Sequence, residues 1–120
     1  MYFLYSLLLR IIEKVLPISG FFSKKMKLFV AGRSTTFASL AAAIQKDDKS
    51  IWFHAASLGE YEQGLPVMEA IKAHYPNHKI VLSFFSPSGY EVRKNNKIAD
   101  VTVYLPLDTP QNAERFIRKI

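Results

Sequence analysis

Three runs of apolar residues in the second half of the chain are each followed by a segment with helical spacing. The runs predict strands over residues 51–56, 79–84 and 101–105. The segments after them predict helices over about 60–75, 87–95 and 110–120. Because strands and helices alternate, and the first two strands are apolar almost throughout, we expect helices to cover both faces of a parallel sheet. The pattern therefore predicts an α/β fold, a Rossmann-like domain of three layers with right-handed crossovers.

The N-terminal end of the chain is apolar over a shorter distance than a membrane-spanning helix requires. Residues 1–9 carry no charge and apolar positions continue to residue 16, whereas a spanning helix needs about 20 apolar residues. The stretch also lacks the basic start and the cleavage site of a secretory signal. We expect an amphipathic helix at a membrane surface, ended by residues 17–20, with Tyr2 and Tyr5 at headgroup depth. A helix packed against its own domain is the alternative.

A cluster of lysines follows this helix and adds to the positive charge of the chain. Phe21 and Phe22 stand beside Lys24, Lys25 and Lys27, and such a cluster favours an anionic bilayer by about 1 kcal/mol per basic residue. The whole chain has 16 Lys and Arg against 10 Asp and Glu, a net charge of +6. This balance favours anionic partners, although a solvated basic face explains it equally well. The core lacks the interleaved aromatic and basic residues that bind single-stranded nucleic acid, so we expect no nucleic-acid partner.

The chain divides into an attachment segment and one domain of ordinary size. Residues 1–27 form the predicted membrane-association segment, and residues 28–120 form the α/β domain. Ser34 or Thr35 can cap a helix that runs to about residue 46. The polar turn at residues 46–50 is the expected border between the N-terminal part and the sheet. No cysteine is present, which excludes disulfides, a thiolate nucleophile and a Cys-ligated metal.

The first strand ends in Ser57-Leu58-Gly59-Glu60, the strongest candidate for chemistry. Ser57 as N-cap with Glu60 three residues later is the pattern of a capping box, which the spacing alone favours. Gly59 argues for more, since glycine in a helix costs about 1 kcal/mol relative to alanine and lets a ligand approach the backbone N–H groups. The helix N-terminus also favours an ionised Glu60, which is then able to accept a proton. The glycine patterns of nucleotide-binding loops are missing, so we expect no cofactor in this domain.

The two later junctions have a similar design. Ser86 is a typical N-cap with Pro87 at the first helical position. Ser88 and Gly89 leave a hydroxyl and backbone donors at the same sheet edge, where ligand contact and a plain helix start are about equally good interpretations. At the third junction a helix start is the favoured interpretation, and its residues are Asp108, Thr109 and Pro110.

The three histidines give little evidence for a catalytic or metal site. His54 lies inside the first strand, where a lone histidine is more often a hydrogen-bonded core residue than a catalyst. His74 and His78 flank a turn and form no metal-ligand set with nearby residues, so we expect no metal site.

Several stretches taken together carry a family resemblance. They are Trp-Phe-His-Ala-Ala-Ser-Leu-Gly-Glu at 52–60, the loop at 83–89, Tyr-Leu-Pro-Leu-Asp at 104–108, and the N-terminal apolar segment followed by Gly32-Arg33. In these the chain resembles the N-terminal half of the 3-deoxy-D-manno-octulosonic acid (Kdo) transferase family. The resemblance implies a GT-B architecture, in which two Rossmann-like domains enclose a cleft and this chain supplies the acceptor-binding half. It also implies transfer of Kdo from CMP-Kdo to a lipid A precursor, with inversion and no essential metal, at the cytoplasmic face of the inner membrane.

The resemblance also assigns roles to individual residues. Glu60 would be the general base that takes the proton from the acceptor hydroxyl, whose oxygen attacks the anomeric carbon of Kdo while CMP leaves from the opposite side. The residues that would hold the acceptor are Ser57, Gly59, Ser86, Ser88 and Gly89. Phe84 and Phe85 stand where the second loop of the family is usually rich in threonine.

The same resemblance implies a second domain. In the family the nucleotide is held mostly by a C-terminal domain, so we expect this chain to be part of a longer protein, to meet CMP-Kdo through that domain and to be inactive alone. The alternative function is a non-catalytic Rossmann-like binding module at the membrane surface, in which Glu60 only caps its helix.

Overall fold

The computed structural model describes residues 1–19 and 24–120, and Phe21 and Phe22 of the predicted membrane segment lie outside these ranges. The elements are α1 (Tyr2–Ser19), α2 (Lys24–Ser34), α3 (Thr36–Ala43), β1 (Ser50–Ala55), α4 (Leu58–His74), β2 (Lys79–Phe84), α5 (Pro87–Arg93), β3 (Val101–Tyr104) and α6 (Pro110–Lys119). Every strand and helix predicted for the second half of the chain is present, with ends displaced by no more than two residues.

The three strands form one parallel sheet in the order β1-β2-β3. The register pairs Ile51 with Ile80 and His54 with Ser83 across β1 and β2, and Val81 with Val101 across β2 and β3. The predicted parallel α/β arrangement is therefore confirmed. Because parallel strands end at the same edge of a sheet, α4, α5 and α6 all begin along that edge.

One face of the sheet is covered by α3 and α6. Leu40 and Ile44, at the end of α3, pack in a core cluster with Val81, Val103 and Phe116, and Leu40 is fully buried. The predicted border at residues 46–50 is therefore wrong, because the helix before it belongs to the core of the domain.

Helix α3 is shorter than predicted and begins without the expected side-chain cap. It covers Thr36–Ala43 instead of residues up to 46. Thr35 occupies the N-cap position, but its hydroxyl donates to the carbonyl oxygen of Gly32 at 3.1 Å and so binds the end of α2 instead.

The opposite face is covered by α4 and α5. Tyr61 and Met68 of α4 pack with Ala55, Leu82 and Phe84 of the sheet. Phe84 is fully buried, so this side chain of the predicted acceptor loop serves the core.

β1 is an edge strand, and its outer residues are less covered than its apolar sequence predicts. Trp52 is 39% exposed and His54 is exposed, although Phe116 of α6 meets the Trp52 ring at 5.0 Å. The prediction that helices cover both faces is wrong at these two positions. His54 is hydrogen-bonded as expected, since its Nδ1 lies 2.9 Å from the Ser83 hydroxyl, but it is not a core residue.

Helix α1 presents most of its apolar side chains to solvent. Among the helices in the described ranges, α1 included, none has the length and apolar character needed to cross a membrane. The helix is attached to the β3–α6 connection by a hydrogen bond from the Tyr5 hydroxyl to Asp108 at 3.0 Å, and to the first turn of α6 by one from the Asn112 amide to Glu13 at 2.7 Å. Its exposed large apolar residues are Tyr2, Phe3, Leu4, Tyr5, Leu7, Leu8, Ile11, Ile12 and Val15, and Met1 before it is exposed as well.

Candidate functional site

The junction between β1 and α4 holds Glu60 in the first turn of the helix. Ser57 is the N-cap, with extended backbone, and its hydroxyl accepts a hydrogen bond from the Glu60 N–H at 3.4 Å. Glu60 Oε2 in turn accepts from the Ala56 N–H at 2.6 Å. The reciprocal bonding of a capping box is thus present, although the carboxylate reaches Ala56 instead of the N-cap residue itself.

One oxygen of this carboxylate, Oε2, accepts the hydrogen bond from the Ala56 N–H. The Glu60 side chain is exposed, and within residues 1–19 and 24–120 its Oε1 accepts no hydrogen bond. The capping bond fixes the direction of the side chain, and Oε1 stays open to solvent or to a ligand. Capping and proton transfer are therefore compatible in this geometry.

Gly59 lies in open space beside Glu60. A Cβ added at Gly59 would have only the Ser57 hydroxyl within contact range, at 4.0 Å, and its φ is not positive. Neither packing nor backbone conformation within the described chain therefore requires glycine here. The missing side chain leaves the first turn of α4 accessible, which suits close approach of a ligand.

The junction between β2 and α5 brings two hydroxyl groups together. The Ser86 hydroxyl caps α5 by accepting from the Gly89 N–H at 3.4 Å, and it lies 2.9 Å from the hydroxyl of the exposed Ser88. Gly89 itself is buried: an added Cβ would come within 2.5 Å of a Phe84 ring carbon and 3.1 Å of the Leu58 nitrogen. The structure thus gives Gly89 a packing role, and its contact with an acceptor stays a prediction.

The first and second junctions are directly linked. The Ser86 N–H donates to the carbonyl oxygen of Ala56 at 3.0 Å, and Ala56 is the residue that holds the Glu60 carboxylate. A single residue therefore joins the candidate base to the loop that carries the serine hydroxyls.

The third junction connects the site edge to the N-terminal helix. The Thr109 hydroxyl caps α6 by accepting from the Asn112 N–H at 3.2 Å, which confirms the predicted helix start. The exposed Asp108 accepts the hydrogen bond of Tyr5, and this bond raises the pKa of the Tyr5 hydroxyl. The exposed apolar face of α1 consequently lies beside the same sheet edge that carries Glu60.

Sequence reasoning gave no individual role to Arg33, which packs against the second junction. Its guanidinium lies 3.5 Å from the centroid of the Phe29 ring and donates to the Phe85 carbonyl oxygen at 2.9 Å. Burial lowers the pKa of Arg33 to about 10, so the group is charged at neutral pH. The two partners are separated by about half the chain, and no short-range pattern reports such a contact.

Two clefts of the domain lie away from the residues of the first two junctions. A cleft of about 450 Å³ lies between α4, the end of α5 and the α5–β3 connection, with Leu65, Asn96 and Ile98 in its wall. Another, of about 230 Å³, lies between α1, α2 and the β3–α6 connection. Neither is lined by Glu60, Ser57, Ser86 or Ser88. In the ranges that the structure describes, no group of three His, Cys, Asp or Glu side chains could hold a metal ion.

Comparison with known proteins relates this geometry to one family of enzymes. Residues 30–120 match the family described as 3-deoxy-D-manno-octulosonic-acid transferase (kdotransferase). The chain is 30% identical over 117 residues to a 3-deoxy-D-manno-octulosonic acid transferase from Haemophilus influenzae, covering 97% of this chain and 27% of that protein. It is 37% identical over 68 residues to the enzyme of that name from Aquifex aeolicus, covering 56% and 18%.

A plant protein gives a third match. A probable mitochondrial 3-deoxy-D-manno-octulosonic acid transferase from Arabidopsis thaliana is 32% identical over 77 residues, which cover 63% of this chain and 17% of that protein. No solved structure matches the chain. The chain thus spans 17% to 27% of the length of these relatives. The match over residues 30–120 includes all three strands and the helices that follow them, and the chain belongs to the 3-deoxy-D-manno-octulosonic acid transferase family.

Proposed function

We propose that this chain is the N-terminal, acceptor-binding part of a glycosyltransferase that transfers Kdo from CMP-Kdo to a lipid A precursor with inversion. Family membership supports the reaction class. The observation that carries the proposal is the exposed Glu60 side chain, whose Oε2 is fixed by Ala56 at the carboxyl edge of the sheet, the edge where open α/β sheets bind ligands.

In the proposed reaction Glu60 acts as the general base. Its Oε1 removes the proton from an acceptor sugar hydroxyl as the hydroxyl oxygen attacks the anomeric carbon of Kdo. A new carbon–oxygen bond forms, the bond from that carbon to the CMP oxygen breaks on the opposite side, and the proton stays on Glu60. The hydrogen bond from Ala56 orients the carboxylate, so positioning supplies much of the rate gain.

The acceptor is proposed to lie across the first two junctions. The hydroxyl of Ser88 is exposed, and the open surface at Gly59 lets a sugar approach the start of α4. Ser57 and Ser86 are already engaged as caps, so each would offer the acceptor its remaining hydrogen-bonding capacity.

Attachment to the membrane surface is part of the same proposal. The exposed apolar side chains of α1 and the exposed Lys24, Lys25 and Lys27 suit an anionic bilayer. Because α1 is bonded to Asp108 before α6 and to Asn112 in its first turn, this apolar helix lies beside the site edge. A lipid-linked acceptor would then reach Glu60 without leaving the membrane, at the cytoplasmic face of the inner membrane.

The donor is proposed to be held by a second domain of a GT-B architecture. The relatives are several times longer than this chain, and the described residues offer no glycine-rich nucleotide loop. We therefore expect the chain alone to bind acceptor but not to catalyse transfer.

The test is Glu60→Gln in the full-length enzyme. Glutamine can still accept the Ala56 hydrogen bond through its amide oxygen but cannot take a proton, so Kdo transfer should fall by about two orders of magnitude or more. Glu69→Gln, an exposed glutamate on the same helix, is the matched control and should retain full activity. Near-normal turnover of Glu60→Gln would remove Glu60 as the base.

One observation favours a second candidate, a binding module without catalysis. The Ala56–Glu60 hydrogen bond is what a purely structural cap would make. In that case Glu60→Gln would leave every function of the protein unchanged, since glutamine also serves in a capping box. The same variant therefore distinguishes the two candidates.

A further inference from the structure

The side chain of Arg33 fills the space between α2 and the loop that follows β2. One terminal nitrogen donates to the Phe29 carbonyl oxygen at 3.1 Å, on its own helix, and the other donates to the Phe85 carbonyl oxygen at 2.9 Å. Phe85 immediately precedes Ser86, the cap of α5 and the residue bonded to Ala56. The guanidinium thus ties helix α2 to the start of the second junction.

Aromatic rings enclose the same guanidinium. It lies 3.5 Å from the Phe29 ring centroid, 4.9 Å from that of Phe85 and 5.2 Å from that of Tyr104. The Phe29 and Phe85 rings also meet edge to face, at 5.6 Å. A planar cation can stack on such faces while it donates in its own plane, which an ammonium group cannot do.

Ion pairing does not account for the position of Arg33. Within residues 1–19 and 24–120 it forms no salt bridge, and its Nε is buried without a hydrogen-bond partner. Removing a cation from water without a carboxylate partner is unfavourable, so the stacking and the two carbonyl contacts must offset that cost. A contribution to solubility or to surface charge does not explain why the Arg33 guanidinium is held among carbonyl groups and aromatic rings.

The residue before Arg33 also fits closely against the sheet. A Cβ on Gly32 would lie 2.0 Å from a Tyr104 ring carbon, so only glycine allows α2 this approach. Tyr104 in turn stacks on Tyr90 of α5, with 4.1 Å between ring centroids. Helix α2 is therefore seated on the same side of the domain as α5 and its preceding loop.

We propose that Arg33 is a positioning residue that holds the β2–α5 loop, through the carbonyl and ring of Phe85, in the conformation that presents Ser86 and Ser88 to the acceptor. The functional half of this inference rests on the proposed acceptor-binding role of that loop. The structural half, that Arg33 orders the loop, stands on the contacts alone. Arg33 touches neither substrate in this scheme.

The structural half is tested by amide hydrogen exchange in this 120-residue chain. Arg33→Lys keeps the charge but loses the planar contacts, so exchange at Ser86, whose N–H donates to Ala56, should accelerate by about fivefold or more. Arg115→Lys is the matched control, because Arg115 stacks over Phe37 at 3.9 Å on the α3–α6 side. Phe85→Leu, which keeps the carbonyl but removes the ring, should give an intermediate acceleration. Unchanged exchange in Arg33→Lys would overturn the inference.

The functional half is tested by steady-state kinetics of the full-length enzyme. Arg33→Lys should raise the KM for acceptor by about fivefold or more and leave the KM for donor unchanged, whereas a general loss of stability would lower kcat with no preference for acceptor. Faster exchange with an unchanged acceptor KM would overturn the link between the loop and the acceptor. If instead Glu60→Gln proved active while exchange still accelerated, the proposed function would fail and the ordering role of Arg33 would stand.

Discussion

Glu60 accepts a 2.6 Å hydrogen bond from the backbone N–H of Ala56, four residues earlier in the chain. This bond gives the carboxylate a structural contribution that can be separated from catalysis. It satisfies a donor that precedes the helix and fixes the side chain at the helix start. Substitutions that keep or remove the accepting oxygen should therefore differ in stability.

Glu60→Ala removes the acceptor of this bond and should lower the free energy of unfolding by about 1 kcal/mol. Glu60→Gln retains an acceptor and should cost clearly less. Urea unfolding of this chain measures both, with Glu69→Ala on the same helix as the control for loss of an exposed glutamate. Equal destabilisation by Ala and Gln would show that the bond contributes nothing.

Gly59→Ala should separate stability from function. Alanine is the better helix former and meets no neighbour closer than 4.0 Å, so stability should be unchanged or rise by up to about 1 kcal/mol. Binding of the acceptor should weaken, because the new methyl group occupies the open surface beside Glu60. Gly64→Ala is the matched control: it lies on α4 with no atom near its Cβ position, and it should stabilise the protein without affecting binding. Equal acceptor affinity in both variants would contradict a ligand at Gly59.

The apolar face of α1 should determine membrane binding. Leu4 and Leu8 are 69% and 57% exposed, and their joint replacement by aspartate should release the chain from anionic vesicles in a sedimentation assay. Val67 and Val92 are similarly exposed, at 57% and 56%, but lie on α4 and α5. Their replacement by aspartate should leave vesicle binding intact. Release by both double variants would mean that net charge, and not α1, governs attachment.

Tyr104 should make the domain sensitive to alkaline pH. Its side chain is fully buried, and burial raises the pKa of the hydroxyl well above its ordinary value of 10.0. Because the folded state then holds a proton that the unfolded chain releases, this contribution to stability is complete below pH 10 and is lost as the pH rises beyond it. Arg33, with a pKa lowered to about 10, acts in the opposite direction in the same range.

Comparison of Tyr104→Phe with the unsubstituted chain at each pH isolates the contribution of the Tyr104 hydroxyl, which includes its effect on the neighbouring Arg33 guanidinium. The Tyr104 hydroxyl has no hydrogen-bond partner in the described ranges, so the variant should be about as stable at pH 7 and lose less stability above pH 10. Thermal unfolding at several pH values provides the measurement. Tyr75→Phe, at a position 43% exposed, is the control. If Tyr104→Phe and the unsubstituted chain lost the same stability above pH 10, the raised pKa of Tyr104 would not be the cause of that loss.

Local signals in the sequence were sufficient to predict the elements that form the site edge. Ser86 before Pro87, and Thr109 before Pro110, each predicted a helix start that the structure confirms, because an N-cap and a following proline act within one turn. The apolar run of the second strand predicted its limits for a similar reason.

Contacts between distant parts of the chain account for what the sequence did not reveal. The apolar run that includes Trp52 predicted a covered strand, but coverage depends on which strand lies at the edge of the sheet. Likewise the contact of Arg33 with Phe85, and the place of Leu40 in the core, depend on how the N-terminal helices pack on the sheet. Apolar spacing reports which side of an element is buried, but it does not identify the partner.

Helix α6 packs on the face of the sheet opposite to α4 and α5. In a right-handed connection, the face on which the helix lies determines on which side of the preceding strand the next parallel strand is placed. Helices on opposite faces therefore extend the sheet in opposite directions. A parallel strand joined to α6 by such a connection would therefore lie next to β1 and shield Trp52 and His54. The strand order would then reverse beside residues 57–60, at a topological switch point, where open α/β sheets form the crevice that receives their ligands.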